Sequence, residues 1–245
     1  MCQSKLQQPR VFSAAYWVEA FNNLKNPRML ALAAMVVALR AVCKLIEIPL
    51  GPSLNLNVAQ IFNSLGAMVY GPVVGLLGAT ISDPIGYLLH PTGPYFLPYA
   101  LLDMSSSFIY ALFFWKRPLS VPRVLTAKFT INLVSNIVLG SLIQKWYLAV
   151  FSGTEAAAAY NLITLSRVAK NLVLFPLEAM LLIVVLGAAT PALQSLKLIG
   201  HGERLRPQAK HYVLIGLLTA LSIGLVLFYV FFLKEWISAH NIKLF

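Results

Sequence analysis

The chain has 245 residues, 59% of them hydrophobic and only 11% charged, with a formal net charge of +11. Soluble domains carry about 25% charged residues, so a composition this poor in charge excludes a water-soluble fold and makes the chain an integral membrane protein. In a bilayer the positive balance reports topology, because Lys and Arg collect on the cytoplasmic side; a nucleic-acid partner is not implied.

The N-terminal stretch MCQSKLQQPR has no apolar core and does not read as a cleaved signal peptide. Of the two cysteines, Cys2 sits in this polar tail and Cys43 in a predicted helix, which suggests neither a disulfide nor a zinc site. Residues 11–26 predict an amphipathic helix with Ala14, Trp17, Val18, Phe21 and Leu24 on one side. It either lies in the membrane interface or packs on the bundle. The first span is expected from about Met29 to Ile48, with Ala31, Ala34, Ala38 and Ala41 on one face. Ala34 and Ala38 form a small-x-x-x-small pair that lets another helix approach closely.

Pro49, Gly51 and Pro52 predict a loop, and the second span follows from about Leu54 to Tyr70. Its amides Asn55, Asn57, Gln60 and Asn63 must face protein, water or ligand instead of lipid. From Ile48 to Ser82 there is no charged residue. That run is too long for one span of about 20 residues, and Gly71-Pro72 divides it. The third span is expected over Pro72–His90 and the fourth over Tyr95–Trp115. A basic, proline-broken loop leads to a fifth span at Val124–Phe151 and a long sixth at Asn161–Leu193, with Pro176 inside it. A second basic loop precedes a seventh span, Tyr212–Leu233, which contains no charge. The expected organisation is a cytoplasmic or interfacial segment at 1–28, a helical core at 29–193, a basic cytoplasmic loop at 194–211, and a last span with its tail at 212–245.

Seven spans with a cytoplasmic N-terminus place 12 basic residues inside, Lys128 among them, and 4 outside. The C-terminus and the His90-Pro91-Thr92-Gly93-Pro94 turn then lie outside. At about 1.5 Å per residue, Arg40 and Asp83 fall near mid-bilayer. Lys44, Asp103, Arg167 and Lys170 fall in the outer half. Six ionisable groups from four helices thus share one half of the bilayer, where an isolated charge costs roughly 2.5–3.5 kcal/mol. Structural ion pairs such as Arg40 with Asp83 would account for some of them. The four cations outnumber the two carboxylates, and a pocket for an anion would use the surplus. Tyr95 and Phe96, directly after the turn, are placed to stack on a flat ring, and His90 is either a ligand contact or a turn-stabilising donor. Glu178, deeper on the sixth helix, reads as structural or as part of a partner contact.

No G-x-x-x-x-G-K-[ST] loop is present: GPVVGLLGAT, residues 71–80, has glycines but no lysine, so the chain cannot hold ATP in that way. H-E-x-x-H and G-x-S-x-G are also missing. An enzyme is weakly supported, although an intramembrane enzyme using Asp83, His90 and Asp103, or a purely structural subunit, would also be compatible with the charges.

The alanine-bearing first helix, the proline loop, the Gly71-Pro72 break, the H-P-T-G-P-Y-F turn and the segment SRVAKNLVLFPLEA together resemble the S components of energy-coupling factor (ECF) vitamin transporters, of the folate-type group. The likeness covers about Leu30 to Leu193. It implies an all-α integral membrane protein: a six-helix S-component bundle, here with an additional C-terminal transmembrane helix, in the bacterial plasma membrane. It also implies a transport subunit without its own ATPase or cofactor, which binds a vitamin on the outside. Its partners would be a transmembrane coupling subunit and two cytoplasmic ATPases that use ATP. By that resemblance Ala34 and Ala38 match the coupling motif, and Pro49 to Ser53 match a lid. The implied substrate residues are Arg40, Lys44, Asn57, Asp83, His90, Tyr95, Phe96, Asp103, Arg167, Lys170 and Asn171. Folate leads as substrate, with cobalamin and pantothenate as rivals in the same class.

Overall fold

A computed structural model describes residues 13–45, 47–51, 54–91, 93–162, 165–200 and 209–228. Helix α1 (Ala14–Asn22) starts at Ser13, whose hydroxyl accepts from the Tyr16 amide. Helix α2 (Pro27–Lys44) starts at Asn26, whose side chain accepts from the Arg28 amide, with proline in the first turn. Pro27 also forces Asn26 into extended backbone, and there the chain bends by 80° between the two helices. Tyr16 and Ala20 of α1 are fully buried, while Val18 and Phe21 are 59% and 57% exposed. Tyr16 packs edge-on against Trp115 at 4.7 Å and Trp17 stacks on Phe108 at 6.1 Å. This helix therefore packs on the bundle by one face, as one of the two expectations had it, and leaves an apolar face outward.

A two-stranded antiparallel hairpin follows, β1 (Glu47–Gly51) and β2 (Leu54–Asn57), with Ile48 opposite Leu56 and an irregularity between Pro49 and Gly51. The sequence reading began a membrane helix at Leu54. The alternation Leu54-Asn55-Leu56-Asn57 is instead the period of a strand, and helix α3 starts only at Ala59.

The helical segment α3 (Ala59–Leu89) breaks at Gly71, where φ is 82° and the backbone is not helical. A side chain there would meet the Trp115 indole at 2.7 Å, so both the backbone and the space require glycine. The break is a fold-back. A Cβ built on Gly66 would run into Tyr70 Oη, and one on Gly78 would lie 4.0 Å from that same atom. In a straight helix these two positions would be separated by about 18 Å. Residues 59–70 and 72–89 are thus two antiparallel legs, as the uncharged run and Gly71-Pro72 predicted. Ala33 packs on Val74 and Val37 lies against Gly78, so α2 runs parallel to the second leg.

A 3-10 turn (Leu97–Tyr99) opens α4 (Ala100–Phe114), which returns antiparallel, with Ser107 against Gly75 and Trp115 against Gly71. Helix α5 (Val121–Ile131) passes through a π-helical stretch (Asn132–Leu139) into α6 (Gly140–Phe151). A short α7 (Thr154–Ala159) leads to α8 (Leu165–Ser195) and then α9 (Ala209–Phe228). By length and composition the segments Ala59–Leu89, Leu97–Phe114, Val121–Phe151 and Arg167–Ser195 are each long and apolar enough to cross a membrane, the first of them folded back at Gly71, and so is the bent α1–α2 pair taken as one broken span. The core gathers Ala67, Met68, Tyr110, Phe114, Ile131 and Leu182 from α3, α4, α5 and α8. Helix α9 lies against α8, where Thr219 Oγ1 donates to Met180 Sδ at 2.8 Å. The end of the predicted seventh span lies outside the described residues.

Candidate functional site

Four of the six predicted membrane charges meet between α2, α3 and α4. Arg40, 2% exposed, reaches Asp103 with Nη2 at 3.1 Å from Oδ2. Lys44 Nζ sits between the two carboxylates, 2.8 Å from Asp103 Oδ2 and 3.3 Å from Asp83 Oδ1. Tyr95 Oη donates to the second Asp83 oxygen at 3.4 Å. The Asp103 contacts are ion pairs by distance, without hydrogen-bond angles. Two cations and two anions cancel here, and the arrangement corrects one expectation: Arg40 pairs with Asp103, and Lys44 is the residue that links Asp83 to it. Arg40 Nε and Nη1 are buried with no hydrogen-bond partner among the described residues.

The other two cations lie on α8. Arg167 donates through Nη2 to Tyr160 Oη at 3.0 Å and through Nη1 to the Asn136 carbonyl at 3.3 Å. Lys170 is half-buried one turn on and makes no salt bridge to a described carboxylate. Asn171 accepts on Oδ1 from Asn136 Nδ2 at 3.0 Å, and its backbone carbonyl accepts from Asn132 Nδ2 at 3.2 Å. Close by, Tyr99 Oη donates to Gln144 Oε1 at 2.5 Å.

These contacts are rungs of a polar ladder. On one side stand Lys128, Asn132, Asn136 and Gly140, four residues apart. On the other stand Glu178, Asn171 and Arg167. The lowest rung is Lys128 Nζ to Glu178 Oε2 at 2.8 Å, with the lysine 3% exposed. The top rung is Gly140, where a Cβ would lie 2.9 Å from Arg167 Nη1. In an α-helix each four-residue step overshoots a full turn by about 40°. The wider π-helical turn between Asn132 and Leu139 undershoots, so the drift is corrected and the string stays on one side. On α8, Arg167 and Glu178 are 11 residues apart and fall within about 20° of one face. Lys128 was counted with the cytoplasmic residues; the structure buries it in the bundle, which takes it out of that count of 12 and would leave 11. The period-4 polar string was visible in the sequence and is the signal that would have found Lys128, Asn132 and Asn136.

Around the turn, Tyr87 Oη donates to the Gly93 carbonyl at 2.7 Å, and Gly93 has φ 83°. Phe96 is surrounded edge-on by Tyr99, Trp146, Tyr147 and Phe151 at 5.3–5.9 Å, so it anchors the turn. Tyr95 lies 4.8 Å from Tyr87, and His90 is exposed at the end of α3. Asn57 lies in β2, and its side chain falls outside the described residues, as do Pro52 and Ser53 of the predicted lid. Ala34 and Ala38 are exposed on α2, whereas Ala33 and Ala41 are buried. Ala31, Ala34 and Ala38 are therefore turned away from this bundle, whereas Ala41, expected on the same face, packs inside it.

Residues 24–195 match the family model described as ECF-type riboflavin transporter, S component. The chain belongs to the ECF-type transporter S-component family. It is a multi-pass membrane protein and a transport subunit, not an enzyme. The S component is 30% identical over 138 residues to the folate transporter FolT of Clostridium novyi, covering 56% of this chain and 73% of the relative. It is 31% identical over 155 residues to FolT of Leuconostoc mesenteroides, covering 62% and 81%. Its fold matches a crystal structure of FolT bound with folic acid, with a TM-score of 0.52, 25% identity, and coverage of 63% of this chain and 88% of that one.

Proposed function

We propose that this S component captures folate, or a closely related anionic vitamin, from the outer side of the membrane. It would hand the vitamin on within a complex of a transmembrane coupling subunit and two cytoplasmic ATPases. The observation that carries the substrate class is the separation of charges. Arg40 and Lys44 are neutralised by Asp83 and Asp103, whereas α8 brings Arg167 and Lys170 together among tyrosines and amides. The carboxylates of the ligand belong at the α8 pair. The folate-named relatives agree with that reading, and the excess of basic residues on one side supports a cytoplasmic N-terminus.

The coupling contact is assigned to Ala34 and Ala38, whose exposure leaves room for a second helix to pack closely. The test is calorimetric titration of folate onto the purified chain, with a tagged-chain pull-down of ATPase subunits. Submicromolar folate binding and ATPase co-purification are expected, with Ala34→Leu/Ala38→Leu losing the partners and keeping the vitamin. A chain that binds no folate, or that retains another vitamin through purification, would overturn the substrate assignment.

A further inference from the structure

At the end of the bundle opposite His90, Trp115 closes α4 against Gly71, and α8 ends at Ser195. A cleft of about 520 Å³ opens there, lined by Glu19, Asn23, Met29, Trp115, Lys116 and Lys197 among others. Helix α1 forms one wall. It is bent by 80° from α2, so with α2 crossing the bilayer α1 lies along the membrane surface, at the depth of the lipid headgroups. Val18 and Phe21 of α1 face outward, and Leu30 and Leu196, next in sequence to the lining Met29 and Lys197, are exposed.

The walls carry a surplus of positive charge. Lys25, Arg28, Lys116, Arg117 and Lys197 come from three segments: the α1–α2 stretch, the turn after α4 and the end of α8. Among the described residues of those segments Glu19, paired with Lys116, is the one carboxylate near them. Arg28 Nη2 donates to the Leu196 carbonyl at 2.6 Å, which ties the start of α2 to the end of α8. The C-termini of α4 and α8 each add roughly half a negative charge. Those two ends and Glu19 cancel about two of the five cations. Both lining lysines have φ 54°, the left-handed backbone that ends helices and favours glycine or asparagine. At Lys197 the turn is a helix cap, since its amide donates to the Gln194 carbonyl and the Leu198 amide to the Leu193 carbonyl. Lysine therefore stands at two caps where glycine is the less strained residue.

We propose that this cleft binds the headgroup of an anionic phospholipid. Lys197 and Arg28 meet the phosphate oxygens. Lys116 holds the rim, paired with Glu19 and with Nζ 5.2 Å from the Trp115 ring. The acyl chains run into the bilayer past Leu30 and Leu196, and the apolar face of α1 embeds beside them. Basic residues at a membrane surface attract anionic headgroups, and the exposed leucines and the outward face of α1 fit the chains. A soluble anion would use the cations and leave the apolar surface bare. The bound headgroup bridges α1, α2 and the end of α8, so it fastens the interfacial helix to the core.

In the experiment the purified full chain, washed free of lipid in detergent, is offered phosphatidylglycerol or phosphatidylcholine, and bound lipid is counted by native mass spectrometry. Wild type is expected to retain phosphatidylglycerol at least fivefold more than phosphatidylcholine, and millimolar inorganic phosphate should leave it in place. Lys116→Gly/Lys197→Gly, which suits the left-handed backbone at both positions, should keep the lipid-free unfolding midpoint and lose that preference. Lys116→Gln/Lys197→Gln should lose it too if the glycine pair does not fold. Lys145→Gln removes a charge next to Trp146, which packs on Phe96 at the opposite end, and should retain it. Equal retention of the two lipids by wild type overturns the proposal. So does a folded lysine variant that keeps the preference, displacement of the lipid by phosphate, or loss of the preference in Lys145→Gln. A lysine variant that keeps the preference but loses co-purifying ATPase subunits would assign the cleft to a protein partner instead.

Discussion

Two polar regions cross this bundle, and they are built on opposite principles. Between α2, α3 and α4, two cations and two carboxylates interlock, with Lys44 Nζ shared by Asp83 and Asp103. Between α5–α6 and α8, one ion pair at the bottom gives way upward to amides, a tyrosine and two cations. The first region balances its own charge and needs no ligand to do so. The second carries Arg167, hydrogen-bonded to Tyr160 and the Asn136 carbonyl, with half-buried Lys170 one turn on. A polar group in a membrane bundle is thus classed by its partners: Arg40 and Lys170 both lie within apolar helices, and of the two it is Arg40 that pairs with a described carboxylate.

The largest effect that would break this contrast is on folding. Arg40→Ala removes one partner of a buried pair, so a loss of about 3–5 kcal/mol is expected, read as a lower unfolding midpoint in detergent. Unchanged stability would show that the α2–α4 network is not structural. Next comes Lys170→Gln, which should keep the unfolding midpoint and weaken folate about tenfold, or about 1.4 kcal/mol. The smallest is Gly140→Ala. Its methyl group would lie 2.9 Å from Arg167 Nη1 and 3.3 Å from the Ser135 carbonyl, so the guanidinium must shift. A roughly threefold affinity loss with unchanged stability is expected from one displaced charge-assisted contact; an equal loss of stability would make Gly140 a packing glycine only.

Much of this was legible in the sequence because lipid imposes hard constraints on backbone and charge. The uncharged run with Gly71-Pro72 in its middle gave both legs of α3. The charges within the helices were found because ionisable groups in apolar spans stand out, and the two cations not paired with Asp83 or Asp103 lie on α8. What stayed hidden was partnership. Arg40 and Lys44 look alike in sequence to Arg167 and Lys170, and only packing shows that Asp83 and Asp103 both turn to the first pair. Lys128 follows a basic loop, so counting placed it in the cytoplasm, although its spacing from Asn132 and Asn136 put it on the ladder. Strand β2 was read as the start of a helix because four residues of alternation are a short signal beside a long apolar segment.

The most direct test compares folate titrations on wild type, Arg40→Lys and Arg167→Gln/Lys170→Gln, each checked for folding. The account predicts that the α8 double variant loses at least tenfold in affinity and that Arg40→Lys, which retains the charge, binds nearly as wild type. Full affinity in the α8 variant, with the loss falling on Arg40→Lys instead, would contradict it.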